Sequence, residues 1–159
     1  MSTPGSTVVI GLGCECRGDD AAGLEVVRLL ARDSLPPSVV VLENYGDAAE
    51  LIESWTGACL AIVVDAAMSG APPGTLHRHS ALGLAPTWQG SSHVLSLADA
   101  IDLARALGRL PRRLLLLGIE GEDFAVGGPM SPSVRAAVAR TAEMLRGRFG
   151  GGADQPPMR

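Results

Sequence analysis

Two adjacent carboxylates, Asp19 and Asp20, stand where a glycine loop gives way to a helical pattern, and a third, Asp65, terminates the most apolar run of the chain, Cys59 to Val64. His93 sits in the loop ahead of another helical pattern. Two carboxylates and an imidazole make an incomplete shell for a borderline divalent ion such as nickel or zinc, leaving room for a ligand from elsewhere. Asp20, Asp65 and His93 are therefore the candidate metal-binding and catalytic set, provided that the fold brings them to one edge. Each also has a plainer reading: Asp19 or Asp20 as a helix cap, Asp65 as a solvated strand end, His93 as a structural or surface histidine.

The elements that would position them follow from periodicity. Thr7 to Leu12 is a short apolar β-branched run bounded by glycines, the pattern of a central parallel strand. From Asp20 to about Arg32, Ala21, Leu24, Val27 and Leu30 recur at helical spacing, with Asp19 placed to cap and both acids at the positive end of the dipole. Val39 to Leu42 is a second strand, ending at Glu43; Ala48, Leu51, Ile52 and Trp55 mark a second helix; Cys59 to Val64 is a third strand, buried on both faces. Thr75 to His79 alternates like an edge strand with His77 and His79 on one face. Ser96-Leu97-Ala98-Asp99 resembles a capping box, and Leu97, Ile101, Ala104 and Leu107 form the stripe of a third helix. Leu114 to Ile119 is another buried strand, and Ser131-Pro132 supplies an N-cap and first-turn proline for a helix running to about Phe149. The order β-α-β-α-β-β-α-β-α predicts one three-layer α/β domain over residues 1–150 with right-handed crossovers, and residues 151–159 read as a disordered tail.

Composition narrows the chemistry. A chain of 159 residues buries about 70% of the surface it exposes when unfolded, enough for a core without staples. Hydrophobic residues make up 47% and aromatics only 3%, so that core is aliphatic. A net charge of −4 gives no basic stripe for nucleic acid. All 13 basic residues are Arg; without Lys there is neither a P-loop lysine nor Schiff-base catalysis. Three cysteines and no cleavable leader point to the cytoplasm rather than a disulfide framework, and no apolar run is long enough to span a membrane.

Other constellations are weaker. Gly11-x-Gly13 after a strand, with Glu43 ending the next, hints at a dinucleotide, but Cys16 stands where the third glycine belongs and Asp19 and Asp20 would repel a pyrophosphate. Cys14 and Cys16 form a C-x-C that reads as soft metal ligands, a redox pair, or small residues lining a loop. Cys59 reads as a small hydrophobe, and His77 and His79 as polar residues of an edge strand. There is no H-E-x-x-H and no G-x-S-x-G.

Gly11-Leu12-Gly13, Arg17-Gly18-Asp19-Asp20-x-x-Gly23, Val64-Asp65-Ala66, Ser92-His93-x-Leu95-x-Leu97-Ala98-Asp99, and Gly121-Glu122-Asp123-Phe124 leading to Ser131-Pro132 occur in that order between Val8 and Leu145. Together they resemble the hydrogenase maturation endopeptidases, which trim a C-terminal extension from the large subunit of nickel-iron hydrogenases after nickel insertion. The resemblance implies a three-layer αβα sandwich around a five-stranded, mostly parallel twisted sheet. It also implies metal-binding roles for Asp20, Asp65 and His93, with Asp19 capping the first helix and supporting its loop. The implied partner is a hydrogenase large-subunit precursor that supplies the nickel, with other divalent metals able to occupy the site, and the protein is expected to act as a monomer. Two departures stand out: Cys14 where many relatives have asparagine, and Asn44-Tyr45-Gly46 where many have Gly-Gly-Thr in a loop that seats the substrate. A non-catalytic relative that binds metal or precursor without cutting is the competing reading.

Overall fold

A computed structural model describes residues 5–80 and 97–150; His93, the capping residue Ser96 and the 151–159 tail lie outside the described residues. The elements are β1 (Thr7–Leu12), α1 (Ala22–Ala31), β2 (Val39–Asn44), α2 (Ala48–Trp55), β3 (Leu60–Ala67), β4 (Leu76–Ser80), α3 (Leu97–Ala106), β5 (Arg113–Glu120) and α4 (Pro132–Gly150), with a 3-10 turn, Gly18–Ala21, leading into α1. The expected class holds: one five-stranded sheet in the order β2-β1-β3-β5-β4, parallel except for β4, which runs antiparallel to β5 at the edge.

The three central strands, β1, β3 and β5, are buried on both faces because they are apolar at nearly every position and successive side chains point to opposite sides. Val8, Ile10 and Leu12 of β1, with Ala61 and Val63 of β3, pack against Leu51 and Trp55 of α2 and Ile101 and Ala104 of α3. Val9, Ile62, Val64, Leu117 and Ile119 face the other way, against Val26, Val27 and Leu30 of α1 and Val134, Val138 and Leu145 of α4. Shifting β3 by one residue would exchange the two sets and turn Asp65 to the other face of the sheet.

At the head of α2, Asn44 Oδ1 accepts from Gly46 and Asp47 N–H, and Asp47 Oδ1 caps the helix through Glu50 N–H at 3.0 Å. Several boundaries differ by a few residues from the sequence expectation, two of them with a clear cause. β3 runs through Asp65 to Ala67, because β5 extends to Glu120 and supplies ladder partners Gly118, Ile119 and Glu120. Leu107 falls beyond α3 and is 56% exposed, since the chain leaves the helix there through Gly108 at φ 65°.

With this strand order, β1 leads outward through α1 to β2, and the chain then returns past β1 to β3. The connections from β1 and β3 diverge, which opens the sheet edge between their carboxyl ends, where α/β sheets place ligands. Among the described residues no helix is long and apolar enough to cross a membrane.

Candidate functional site

Three glycines let the turn before α1 sit directly on the sheet. A Cβ at Gly11 would lie 2.2 Å from the Gly23 carbonyl oxygen, one at Gly13 2.2 Å from that of Asp20, and one at Gly23 2.2 Å from that of Val64. Backbone thus meets backbone where β1, β3 and the turn converge. The Gly11-x-Gly13 pair serves this contact, so the close approach that a dinucleotide reading would assign to phosphate is already taken by the chain itself.

The contact carries Asp20 to the switch point. Asp20 lies in the turn, 3% exposed, and the turn packs against β3, where Asp65 is 2% exposed. Ala66 N–H donates to Asp65 Oδ1 at 2.8 Å, holding that carboxylate against its own strand. β1 and β3 pair directly, with Gly11 opposite Val64, so the neighbouring strands required for the two acids to share a rim are present. His93, the third member of the expected set, lies outside the described residues.

Asp19 does not cap α1. The helix N-cap is Ala21, which makes no side-chain cap bond, because the 3-10 turn separates Asp19 from the helix start and directs its carboxylate the other way. Asp19 is fully buried and gathers the distant 121–131 loop: Oδ2 accepts from Glu122 N–H at 2.8 Å, Asp123 N–H at 2.9 Å and the Ser131 hydroxyl at 2.7 Å, and Oδ1 from Ser131 N–H at 2.6 Å. Ser131, expected to cap α4, thus gives its hydroxyl to Asp19. Burial acts to raise the Asp19 carboxyl, but the bonds from Asp123, Glu122 and Ser131 outweigh it and hold it below the usual carboxylate range. Gly18, at φ 56°, completes the junction: a Cβ there would stand 2.5 Å from the Asp123 carbonyl oxygen.

Two further polar centres form around Glu120 and Arg28, neither of which was singled out from the sequence. Glu120, at the end of β5 and 2% exposed, accepts from Ser69 N–H at 2.7 Å, Gly70 N–H at 2.9 Å and the Ser69 hydroxyl at 2.9 Å, and pairs with His77 Nε2 at 3.1 Å. These bonds outweigh the upward effect of burial and hold its carboxyl low. The segment after β3 is thereby tied to β5 and to the edge strand, where His77 and His79 stack as expected of one face. The signal was available: Glu120 ends its apolar run just as Asp65 was read to end another.

At the opposite side of the rim, Arg28 of α1 joins three carboxylates. Its Nε donates to Glu43 at 2.7 Å, Nη1 to Glu25 at 2.9 Å, and Nη2 to Glu15; the Tyr45 hydroxyl donates to Glu43. The bonds from Arg28 and then Tyr45 keep the Glu43 carboxyl below its ordinary range. Three acids against one arginine leave this side of the edge net negative.

The likenesses to known proteins agree with this geometry. A family model described as hydrogenase maturation protease matches residues 24–147. The hydrogenase expression/formation protein HupD of Thiocapsa roseopersicina is 30% identical over 152 residues, covering 91% of this chain and 67% of that protein. The hydrogenase 2 maturation protease of Escherichia coli (strain K12) is 29% identical over 142 residues, 87% of each chain. Among solved structures, the hydrogenase maturating endopeptidase HybD from E. coli matches with a TM-score of 0.77 at 24% identity, covering 91% of this chain and 92% of that one. The [NiFe] hydrogenase maturation protease HybD from Thermococcus kodakarensis matches with a TM-score of 0.74 at 25% identity, covering 91% and 99%. On the matched sequence and fold, this chain belongs to the hydrogenase maturation protease family of peptidases.

Proposed function

We propose that this protein removes the C-terminal extension of a nickel-iron hydrogenase large-subunit precursor after nickel has been inserted, and that the nickel reaches the protease as part of its substrate. The observation that carries the reading is the pair of buried carboxylates, Asp20 and Asp65, on adjoining elements at the sheet's switch point in a chain of this family. Concentrated negative charge there favours a divalent cation. The donor set, two carboxylates with His93 as the third ligand, matches a borderline ion and leaves coordination open for the precursor's own ligands. The ion polarises the scissile carbonyl or a water held beside it, while the protein supplies position and charge. A precursor without nickel presents no cation to these acids, which makes cleavage conditional on metal insertion.

The test mixes the protein with a cognate nickel-loaded precursor and follows the precursor's mass. Loss of a short C-terminal peptide is expected from the wild type and not from folded Asp20→Asn, Asp65→Asn or His93→Ala. Cleavage retained in all three variants would refute the site. A stable complex with no change in mass would instead support the non-catalytic binder, and equal cleavage of nickel-free precursor would remove the metal dependence.

A further inference from the structure

Cys14 and Cys16 occupy the loop between β1 and the 3-10 turn, and the proposed function uses neither. Residues 15 and 16 form a turn, so the two cysteines sit on one bend of the chain rather than along a strand. The neighbouring Cys14 thiol is the first reason that the Cys16 thiol is raised above its ordinary value. Cys16 is exposed and Cys14 half-buried, so one sulfur meets solvent and the other stands behind it. Cys59, the third cysteine, lies at the opposite end of the sheet, just before β3.

The loop around the pair is fastened on every side. Glu15, between the two cysteines, is bonded to Arg28. The Cys16 carbonyl accepts from Gly127 N–H at 2.7 Å, and the Arg17 carbonyl accepts from Asp20 N–H at 3.1 Å. Gly13 and Gly18 close the two ends in backbone contact with Asp20 and Asp123. A bond drawn between the two sulfurs therefore pulls on a segment with little slack, and the nearest element in its path is the turn that carries Asp19 and Asp20.

We propose that Cys14 and Cys16 form a thiol–disulfide exchange site whose oxidant is a low-molecular-weight disulfide, and that its closure displaces Asp20 and slows the peptidase. The exposed Cys16 sulfur attacks through its minor thiolate fraction, which grows as pH rises, forming a mixed disulfide and expelling one small thiolate. The Cys14 sulfur then attacks the Cys16 sulfur, forming the Cys14–Cys16 bond and expelling the second small thiolate. Both protein protons end on the two released thiols; the protein loses two electrons and the small disulfide gains them. Only Glu15 and a turn separate the two cysteines, so bringing the sulfurs to bonding distance calls for loop adjustment rather than unfolding. The effect on cleavage rests on the proposed function, whereas the exchange chemistry does not.

The experiment treats the full chain with glutathione disulfide, caps remaining thiols with N-ethylmaleimide and maps the peptides by mass. The expected product lacks two hydrogens across Cys14 and Cys16, carries no cap on either and keeps a capped Cys59. Cys14→Ser, lacking the resolving sulfur, should accumulate a glutathione adduct on Cys16 and retain wild-type cleavage of the nickel-loaded precursor. Oxidised wild type should cleave at least about tenfold more slowly, because a displacement near 1 Å at a reacting group costs about 100-fold; a thiol reductant should restore the rate. Recovery of both cysteines capped, or a persistent glutathione adduct on the wild type, overturns the exchange site. A disulfide that leaves the rate unchanged overturns its control of activity. Failure of the untreated protein to cut any precursor counts against the proposed function, and the mass map still decides the exchange.

Discussion

Removing the Asp19 carboxylate should uncouple the 121–131 loop from the turn that carries Asp20. Four donors end on that side chain: the N–H groups of Glu122, Asp123 and Ser131 and the Ser131 hydroxyl. An unsatisfied buried donor costs about 1–3 kcal/mol, so Asp19→Ala, even at the low end for each, should destabilise by about 4 kcal/mol. That is a large share of the roughly 5–15 kcal/mol that holds a domain folded, and it corresponds to a fall in melting temperature of about 10 °C. Asp19→Asn keeps one acceptor oxygen but turns an N–H group toward a donor, and should cost about 2 kcal/mol. Urea unfolding followed by circular dichroism gives both values, and limited proteolysis should cut the variants between residues 121 and 131 first. A loss below about 1 kcal/mol for Asp19→Ala would mean that water replaces the carboxylate at little cost, and the anchoring argument would fail.

Glu120 is the parallel case on the other side of β3. Glu120→Ala should destabilise by about 3 kcal/mol, as the Ser69 and Gly70 donors lose their acceptor, whereas Glu120→Gln, which retains an oxygen for those N–H groups, should cost about 1 kcal/mol; equal losses in urea melts would contradict this account. Acid should weaken the fold through both residues. Each carboxyl is lower folded than unfolded, so the unfolded chain binds the extra protons: the stabilisation is complete above the ordinary carboxylate range near pH 4 and is lost as pH falls below it. Urea midpoints measured from pH 7 to pH 3 should drop in the wild type and drop less in Asp19→Asn; parallel curves would assign the acid sensitivity elsewhere.

Much of the architecture is local and therefore legible in the chain. Short aliphatic runs alternate with helical stripes, and right-handed crossovers leave few ways to join them. Asp20 and Asp65 could be singled out for the same reason, since each carboxylate interrupts an apolar pattern just where a strand gives way to a loop or helix. What the chain alone did not reveal depends on contacts between residues far apart in sequence. Asp19 looks like a helix cap because capping is a local rule, yet its four donors come from more than a hundred residues downstream. Glu120 looks like an ordinary strand end until the segment after β3 folds back on it. Gly13 looks like half of a phosphate loop until the Asp20 carbonyl occupies the space its side chain would need. Residue type and spacing determined which groups could do chemistry near a cation. The tertiary structure decided which aspartate serves the fold, because a buried carboxylate takes its role from the donors that converge on it, and no local pattern records them.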